Sequence, residues 1–224
     1  MIQVFLTVFM IVTYALAAAI LTYVSICSIE DSKDQQQFET IAKSIEEQNE
    51  DGDTDTTNKV YDLMLKNKDC VGWLKVVDMD VNYPVMLTKQ NPEFYLRRDF
   101  NKEYSYMGTP FMDANCNIGI SKNLIIYGHN MKNGSMFNNI KSYTDQSFVD
   151  EHPYVYIYLP DGTVSQYKVV VGHIISETSV LYNTHIVDTA SFVQEMVKTS
   201  SIKVDFDQSQ VQSVITLSTC TSAG

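Results

Sequence analysis

The sequence predicts a mainly β domain, a barrel or sandwich with peripheral helices, behind an N-terminal transmembrane helix. Three observations support this prediction. The first 29 residues contain no Asp, Glu, Lys or Arg. Beyond Gly72 the chain breaks into short apolar runs that are rich in β-branched and aromatic residues and are separated by turns. These runs do not alternate regularly with helices, which argues against a doubly wound parallel sheet.

Residues 1–29 form the predicted membrane anchor. Val4 to Ile26 is mostly apolar and exceeds the ~20 residues that cross a hydrocarbon core as a helix. A cleaved signal peptide is the alternative, but such a peptide has a basic start, a shorter apolar stretch and a small-residue cleavage site, and no clear site follows Ser25. Because no basic residue precedes the helix, we expect the natural start to lie upstream with lysines, which would place the body outside the cell.

The charge of the chain is acidic and unevenly distributed. The 224 residues hold 27 Asp and Glu against 16 Lys and Arg, a net charge of −11. This balance excludes a basic nucleic-acid-binding domain, so no nucleic-acid partner is expected. Ten of the acids lie in residues 30–57, together with only Lys33 and Lys43. We interpret residues 30–57 as an acidic linker or stalk and residues 58–224 as the folded domain.

Local patterns predict the helices. Residues 35–48 have the apolar spacing of a short helix, and a flexible joint is predicted at 49–58 before a second helix that ends ahead of Gly72. Further helical segments are predicted around 136–143 and, after an N-cap at Asp188, around 192–197.

The apolar runs predict the strands. They are Trp73 to Val77, Val81 to Leu87, Leu124 to Tyr127, Tyr154 to Leu159, Gln166 to Ile175 and Val211 to Leu217. The sequence LPDGT at 159–163 sets a turn, because Pro fixes φ and Gly accepts positive φ. Residues 154–175 are therefore predicted to form a hairpin.

The cysteines of the body do not suggest a structural role. Cys70, Cys116 and Cys220 are an odd number outside the membrane, which does not make a disulfide framework. No pair of His or Cys has metal-ligand spacing, so no metal site and no cofactor are expected.

Catalysis by a nucleophilic cysteine is still possible for these residues. Such a cysteine needs a cationic neighbour or a base, together with hydrogen-bond donors for the oxyanion of the intermediate. Cys220 follows the last apolar run, where a buried strand meets a polar loop, although a lone Cys is more often a buried apolar thiol. His129 and His173 each follow an apolar run, and periodicity does not choose between them. His152 and His185 are expected at the surface.

Two segments resemble the histidine and cysteine motifs of class B sortases. They are Asn123 to Phe137, with the sequence NLIIYGHNMKNGSMF, and Thr216 to Thr221, with the sequence TLSTCT. Supporting stretches lie at Val71 to Leu74, Val81 to Val85 and Phe94 to Phe100. The similarity runs through most of residues 59–221, with the two motifs in the order of that family.

The resemblance implies a membrane-anchored cysteine transpeptidase on a closed β-barrel with added helices. It implies that Cys220 attacks the Thr carbonyl of a sorting signal, that His129 acts as acid or base at the leaving and entering amines, and that Ser218 lines the substrate groove. The implied partners are surface proteins with a C-terminal sorting signal, an amine of the peptidoglycan precursor, and membrane lipid. The implied location is the membrane of a Gram-positive cell, with a single span and an extracellular catalytic domain.

The chain departs from the family pattern after the cysteine. Class B sortases carry an arginine on the next strand, where it helps to hold the substrate and the oxyanion, whereas Thr221 to Gly224 follow Cys220 here. We therefore expect a truncated sortase without its last strand, and we do not assign the role to Arg97 or Arg98, which fall in a separate motif. Loss of one oxyanion donor costs ~100- to 1,000-fold in rate, so reduced activity is expected.

Two other functions remain open from the sequence. One is a catalytically inactive barrel that only binds wall polypeptides. The other is a cysteine peptidase that acts on peptidoglycan with the same Cys and His residue types. The order of the two motifs and the residues in them favour the transpeptidase.

Overall fold

A long N-terminal helix is the first element of the computed structural model, which describes residues 2–46, 54–176 and 178–220. Helix α1 runs over Ile2–Glu46 without a break. Its first part is exposed on all sides although it is apolar, as Leu16, Leu21 and Tyr23 illustrate. An apolar helix with no packed face is typical of a segment that lies in lipid, and α1 is long and apolar enough to cross a membrane.

The second part of α1 packs against the body. Phe38 and Ile45 are almost completely buried, and the Phe38 ring meets the Tyr83 ring edge to face at 5.5 Å. The helix predicted at 35–48 is therefore confirmed as the last turns of α1, which end at Glu46. Most of the predicted joint at 49–58 lies outside the described residues, and the boundaries 1–29, 30–57 and 58–224 stay a prediction.

Helix α2, Thr54–Lys66, is the second predicted helix. It buries Val60 and Leu63 and contacts both α1 and the sheet. Two shorter helices, α3 (Gln146–Glu151) and α4 (Thr189–Lys198), lie later in the chain. The predicted cap of α4 is confirmed, because the Asp188 side chain accepts a hydrogen bond from the amide of Ala190.

In the described part of the chain, the body is a single rolled sheet of seven strands in the order β6-β5-β1-β2-β3-β4-β7. The strands are β1 (Cys70–Val76), β2 (Asn82–Met86), β3 (Phe111–Met112), β4 (Asn123–Tyr127), β5 (Tyr154–Tyr158), β6 (Val164–Lys168) and β7 (Val214–Ser218). Two pairs, β2 with β3 and β4 with β7, are parallel, and the other pairs are antiparallel. The mainly β prediction is confirmed.

The predicted strand Gln166 to Ile175 is too long. β6 pairs with β5 only as far as Lys168, opposite Tyr154, and the last hydrogen bond runs from the Val169 amide to the Pro153 carbonyl. Pro153 has no N–H with which to extend the ladder, so the chain leaves the sheet there. The helix predicted at 136–143 is a 3-10 helix over Asn138–Thr144.

Both faces of the sheet are buried at its centre. Trp73 and Leu74 of β1 and Ile125 and Ile126 of β4 are fully buried, and consecutive residues of a strand point to opposite faces. The Trp73 indole N–H donates to the Asn82 side chain at 2.7 Å, which satisfies the one polar atom of that ring.

The barrel has one unsealed seam, between the edge strands β6 and β7. Among the described residues, β6 pairs with β5 alone and β7 with β4 alone. A cavity of about 630 Å³ opens between them, and its walls include Tyr167, Val169, Ile215 and Leu217. Every residue of β7 is only half-buried, whereas the first four residues of its neighbour β4 are buried. The predicted closed barrel with its last strand missing is therefore observed as a nearly closed barrel with this one seam.

Candidate active site

The parallel pair β4 and β7 brings His129 and Cys220 to the same end of the sheet, where both strands finish. The register pairs Tyr127, the last residue of β4, with Ser218, the last residue of β7. His129 and Cys220 each lie two residues beyond this pair. Neighbouring strands are ~4.8 Å apart, so the two chains leave the sheet side by side and carry both residues to one place.

Hydrogen bonds at Gly128 hold the two strand ends together. The Gly128 amide donates to the Ser218 carbonyl at 3.1 Å, and the Thr219 hydroxyl donates to the Gly128 carbonyl at 2.8 Å. A Cβ atom at position 128 would lie 2.6 Å from the Phe137 ring, so only glycine fits. The Phe137 amide in turn donates to the His129 carbonyl at 2.8 Å.

The imidazole of His129 is half-buried and held in one tautomer. Its Nε2 lies 2.8 Å from the Leu96 carbonyl oxygen, which can only accept, so Nε2 carries the proton. Burial lowers the pKa of His129 below its usual 6.5; the Leu96 hydrogen bond opposes this effect, and the Arg97 guanidinium adds to it. The ring is therefore neutral near pH 7, and Nδ1 is the nitrogen that can take up a proton.

The backbone of Cys220 is positioned by two asparagines. Asn130 Nδ2 donates to the Cys220 carbonyl at 2.8 Å, and Asn138 Nδ2 donates to Asn130 Oδ1 at 2.6 Å. The Cys220 side chain itself is exposed. The sequence analysis did not single out either asparagine, although Asn130 directly follows His129. Asn138 has no local signal, because only the fold brings it to the site.

The other two body cysteines are buried. Cys70 and Cys116 are 1% and 0% exposed. Burial raises the pKa of the Cys70 thiol to about 12 and also raises the pKa of Cys116. A thiol with a raised pKa is mostly protonated near pH 7 and reacts slowly. Cys220 is therefore the accessible thiol of the body.

The remaining histidines do not follow β4. His173 comes after β6, across the seam, where it lines the same cavity as Ser218, and its Nδ1 lies 3.3 Å from the Thr199 hydroxyl. His152 stacks on the Phe148 ring, and its Nδ1 donates to the carbonyl of the same residue. It is half-buried rather than at the surface, whereas His185 is exposed, as predicted.

Ser218 faces the cavity that opens at the seam. Its hydroxyl lies 2.9 Å from the hydroxyl of Tyr182, whose ring stacks on Tyr127 at 6.3 Å. The Tyr127 hydroxyl donates to Asp113 at 3.0 Å, which fixes the stack. Tyr182 was not predicted, because it lies in the 3-10 helix Val180–Tyr182, which is too short to give a periodic signal.

The described residues contain no cluster of three or more His, Cys, Asp or Glu that could hold a metal ion. The groups that hydrogen-bond His129 and Cys220 are the Leu96 carbonyl and the Asn130 amide, which position a base and a nucleophile. This arrangement suits acyl transfer through a thiol.

Comparison with known proteins gives a consistent result. Residues 74–224 match the family described as the sortase domain. Sortase B of Listeria monocytogenes is 35% identical over 173 residues, which cover 73% of this chain and 67% of that protein. Sortase B of Staphylococcus aureus is 28% identical over 203 residues, which cover 87% of this chain and 81% of the relative.

Comparison of the fold with solved structures identifies the same relatives. The structure of the Staphylococcus aureus sortase B-substrate complex superimposes with a TM-score of 0.76 and 26% identity, covering 87% of this chain and 91% of that chain. Motifs, sheet topology and overall similarity agree, and this chain belongs to the sortase family, as a class B sortase.

Proposed function

We propose that this sortase cleaves a cell-wall sorting signal after Thr and transfers the acyl group to an amine of the cell wall. The observation that supports the proposal is the register of β4 and β7, in which His129 and the exposed Cys220 each follow the paired residues Tyr127 and Ser218 by two positions. Burial of Cys70 and Cys116 removes the other candidate nucleophiles of the body.

The first half of the reaction forms a thioester. Cys220 Sγ attacks the Thr carbonyl, and its proton passes to Nδ1 of His129, the nitrogen that the Leu96 contact leaves able to accept. The tetrahedral intermediate then collapses: the peptide C–N bond breaks, and His129 returns the proton to the leaving amine. The substrate's acyl group is now bonded to Cys220.

The second half transfers that acyl group. The acceptor amine attacks the thioester carbonyl while His129 takes up its proton. The C–S bond breaks, and the proton returns to Sγ, so Cys220 and His129 end as they began. The lowered pKa of His129 favours this role, because a neutral ring is needed at each attack.

The substrate is proposed to lie along the cavity beside β7. Ser218 and Tyr182 present two hydroxyls there, 2.9 Å apart, next to apolar wall residues such as Leu217. Hydroxyls next to an apolar wall suit an extended peptide, whose backbone needs polar partners and whose side chains need burial. The similar Staphylococcus aureus structure is a sortase B-substrate complex, which supports the presence of a substrate groove on this fold.

The cellular setting is proposed to be the outer face of the membrane of a Gram-positive cell. The exposed apolar part of α1 supplies the single span, and its last turns pack on the barrel. A helix that is continuous from the lipid into the protein core would hold the active site at a fixed height above the membrane.

The products of the reaction test the proposal. The full chain in detergent is incubated with a panel of peptides, each with Thr before the expected cleavage bond, with and without triglycine or hydroxylamine. A transpeptidase yields the acyl group joined to the added amine, together with a thioester on the protein that mass spectrometry detects. Hydrolysis that ignores the amine would indicate a peptidase, and the absence of any cleavage would indicate a barrel that only binds.

The seam gives a separate prediction about stability and rate. We fuse to the C-terminus a short loop and a β-strand that carries one arginine facing the site. Pairing of its backbone with the free edges of β6 and β7 is expected to raise the melting temperature, by ~2–4 °C for each ~1 kcal/mol gained. The arginine is expected to raise kcat/KM by ~100- to 1,000-fold.

The matched control is the same fused strand with alanine in place of the arginine. It is expected to keep the gain in melting temperature and to lose most of the gain in rate. Equal melting temperatures and equal rates for the chain with and without the strand would refute the prediction.

A further inference from the structure

A short segment between β2 and β3 supplies the carbonyl that holds His129. The segment begins with the 3-10 helix Phe94–Arg97. Its Leu96 carbonyl oxygen lies 2.8 Å from His129 Nε2 and accepts the proton of that nitrogen. In a neutral imidazole, the hydrogen bond of one nitrogen decides which nitrogen carries the proton. The position of this one oxygen therefore decides whether Nδ1 of His129 is able to act as a base.

The backbone around this carbonyl is held closely. The Leu96 amide donates to the Glu93 carbonyl at 3.0 Å, and the neighbouring Tyr95 carbonyl accepts from the Thr109 amide at 3.0 Å. Gly108 lies against the Leu96 carbonyl itself, because a Cβ atom at position 108 would lie only 2.5 Å from that oxygen. The carbonyl therefore lies in a narrow space whose walls depend on where the segment is anchored.

The Tyr95 side chain anchors the segment in the interior of the body. It is completely buried, and its hydroxyl makes two hydrogen bonds. The hydroxyl donates to Asp69 Oδ2 at 2.9 Å and accepts from Asn67 Nδ2 at 2.8 Å. Asn67 Nδ2 also donates to the Phe100 carbonyl at 2.7 Å. One buried amide thus holds the segment at two places, on either side of Leu96 and the residues that follow it.

Asn67 and Asp69 are themselves fixed in the turn that joins α2 to β1. The Asn67 amide donates to the Leu63 carbonyl of α2 at 2.9 Å, and its side-chain oxygen accepts from the Asp69 amide at 3.0 Å. Lys102 Nζ lies 2.8 Å from Asp69 Oδ2, the same oxygen that accepts the Tyr95 hydroxyl. The partners of that hydroxyl are therefore each held in one orientation.

We propose that Tyr95 is a positioning residue for the acid–base step of this sortase. Its anchored ring keeps the Leu96 carbonyl against Nε2 of His129, so that Nδ1 accepts the thiol proton. This inference rests on the proposed role of His129. Because the Tyr95 side chain is buried, it acts through the backbone and not by contact with the substrate. A side chain locked by packing and hydrogen bonds is the kind of support that an accurate catalytic geometry needs.

The tautomer of His129 tests the proposal without any substrate. The full chain in detergent carries ¹⁵N-labelled histidine, and long-range proton–nitrogen correlation spectra are recorded above the pKa of the imidazoles. Signals that are missing from His129→Ala belong to His129. The unmodified chain is expected to show only the Nε2–H pattern. Tyr95→Phe, which removes the hydroxyl and keeps the ring, is expected to show a mixture with the Nδ1–H pattern.

Kinetics on the best peptide of the Thr panel give a second readout. Tyr95→Phe is expected to lower kcat by ~10- to 100-fold, the cost of a small misplacement of a catalytic group. KM is expected to stay unchanged, because Tyr95 does not line the cavity beside β7. Asp69→Asn keeps an acceptor for the Tyr95 hydroxyl and is expected to keep the tautomer and the rate, whereas Asp69→Ala is expected to behave like Tyr95→Phe. Tyr156→Phe removes a hydrogen-bonded hydroxyl on β5 and is the matched control, with no change expected.

Thermal unfolding shows which variants are folded, and the folded ones decide the outcome. If Tyr95→Phe unfolds, Asp69→Asn and Asp69→Ala take its place. A pure Nε2–H pattern in Tyr95→Phe and Asp69→Ala would overturn the proposal, and so would an Nδ1–H pattern in the unmodified chain. A higher KM with unchanged kcat would also overturn it. The expected change of tautomer in a chain that cleaves no peptide of the panel would support the positioning role while refuting the proposed transfer reaction.

Discussion

Replacing Cys220 with alanine is expected to reduce peptide cleavage by more than roughly 10⁴-fold, to the limit of detection. Alanine leaves no atom that can form the thioester, and the two alternative thiols of the body are buried away from the site. The measurement is cleavage of the best peptide of the Thr panel by the full chain in detergent. Cys27→Ala is the matched control, because Cys27 lies on α1 away from the barrel edge, and it is expected to keep full activity.

Thiol labelling gives the same prediction a second readout. Iodoacetamide at pH 7 is expected to modify Cys220 in the folded chain, while Cys70 and Cys116 react only after unfolding in urea. The reason is both exposure and charge state, since burial raises the pKa of each inner thiol and lowers its thiolate fraction. Preferential labelling of Cys70 or Cys116, or cleavage that survives Cys220→Ala, would contradict the assignment.

Replacing His129 with alanine is expected to lower kcat/KM by ~100- to 10,000-fold, the usual range for a lost acid or base. The matched control is His173→Ala, which removes the histidine that has the same sequence setting, after β6. That variant is expected to keep kcat and to change KM at most, because His173 lines the cavity from the β6 side of the seam, whereas His129 follows the strand that pairs with β7. Thermal unfolding of both variants shows whether a loss of activity comes from the missing base or from an unfolded protein. An equal loss of activity in a well-folded His173→Ala variant would reverse the choice.

The pH dependence of kcat/KM tests the direction of the His129 pKa shift. The neutral imidazole is the form that accepts the thiol proton, and burial lowers its pKa below 6.5. The neutral base therefore persists to lower pH than it would for an exposed histidine. We expect kcat/KM to decrease at acidic pH with an apparent pKa below 6.5. This decrease is expected to be absent from the residual activity of His129→Ala. An acidic limb above pH 6.5 would contradict the structural environment of the ring.

Local patterns in the sequence predicted most elements of this fold. The apolar runs before His129 and Cys220 are β4 and β7, the Asp188 cap begins α4, and the uncharged N-terminal stretch is part of a helix. These features depend on propensity and periodicity within a few residues. The strand predicted to reach Ile175 ends at Lys168 instead. Its length depended on Pro153, which directly precedes the partner strand, rather than on its own residues.

The sequence by itself thus determined the strand ends that precede His129 and Cys220, but it placed His173 inside a strand that ends at Lys168, and strand patterns could not rank the two histidines. Resemblance to a family favoured His129, and the tertiary structure supplies a physical argument for the same choice. β4 is the parallel neighbour of β7, with Tyr127 opposite Ser218, while β6 lies across an open seam. Strand pairing between distant segments leaves no periodic trace in either segment. For the same reason only the structure brought Asn138 to Asn130 at the candidate active site.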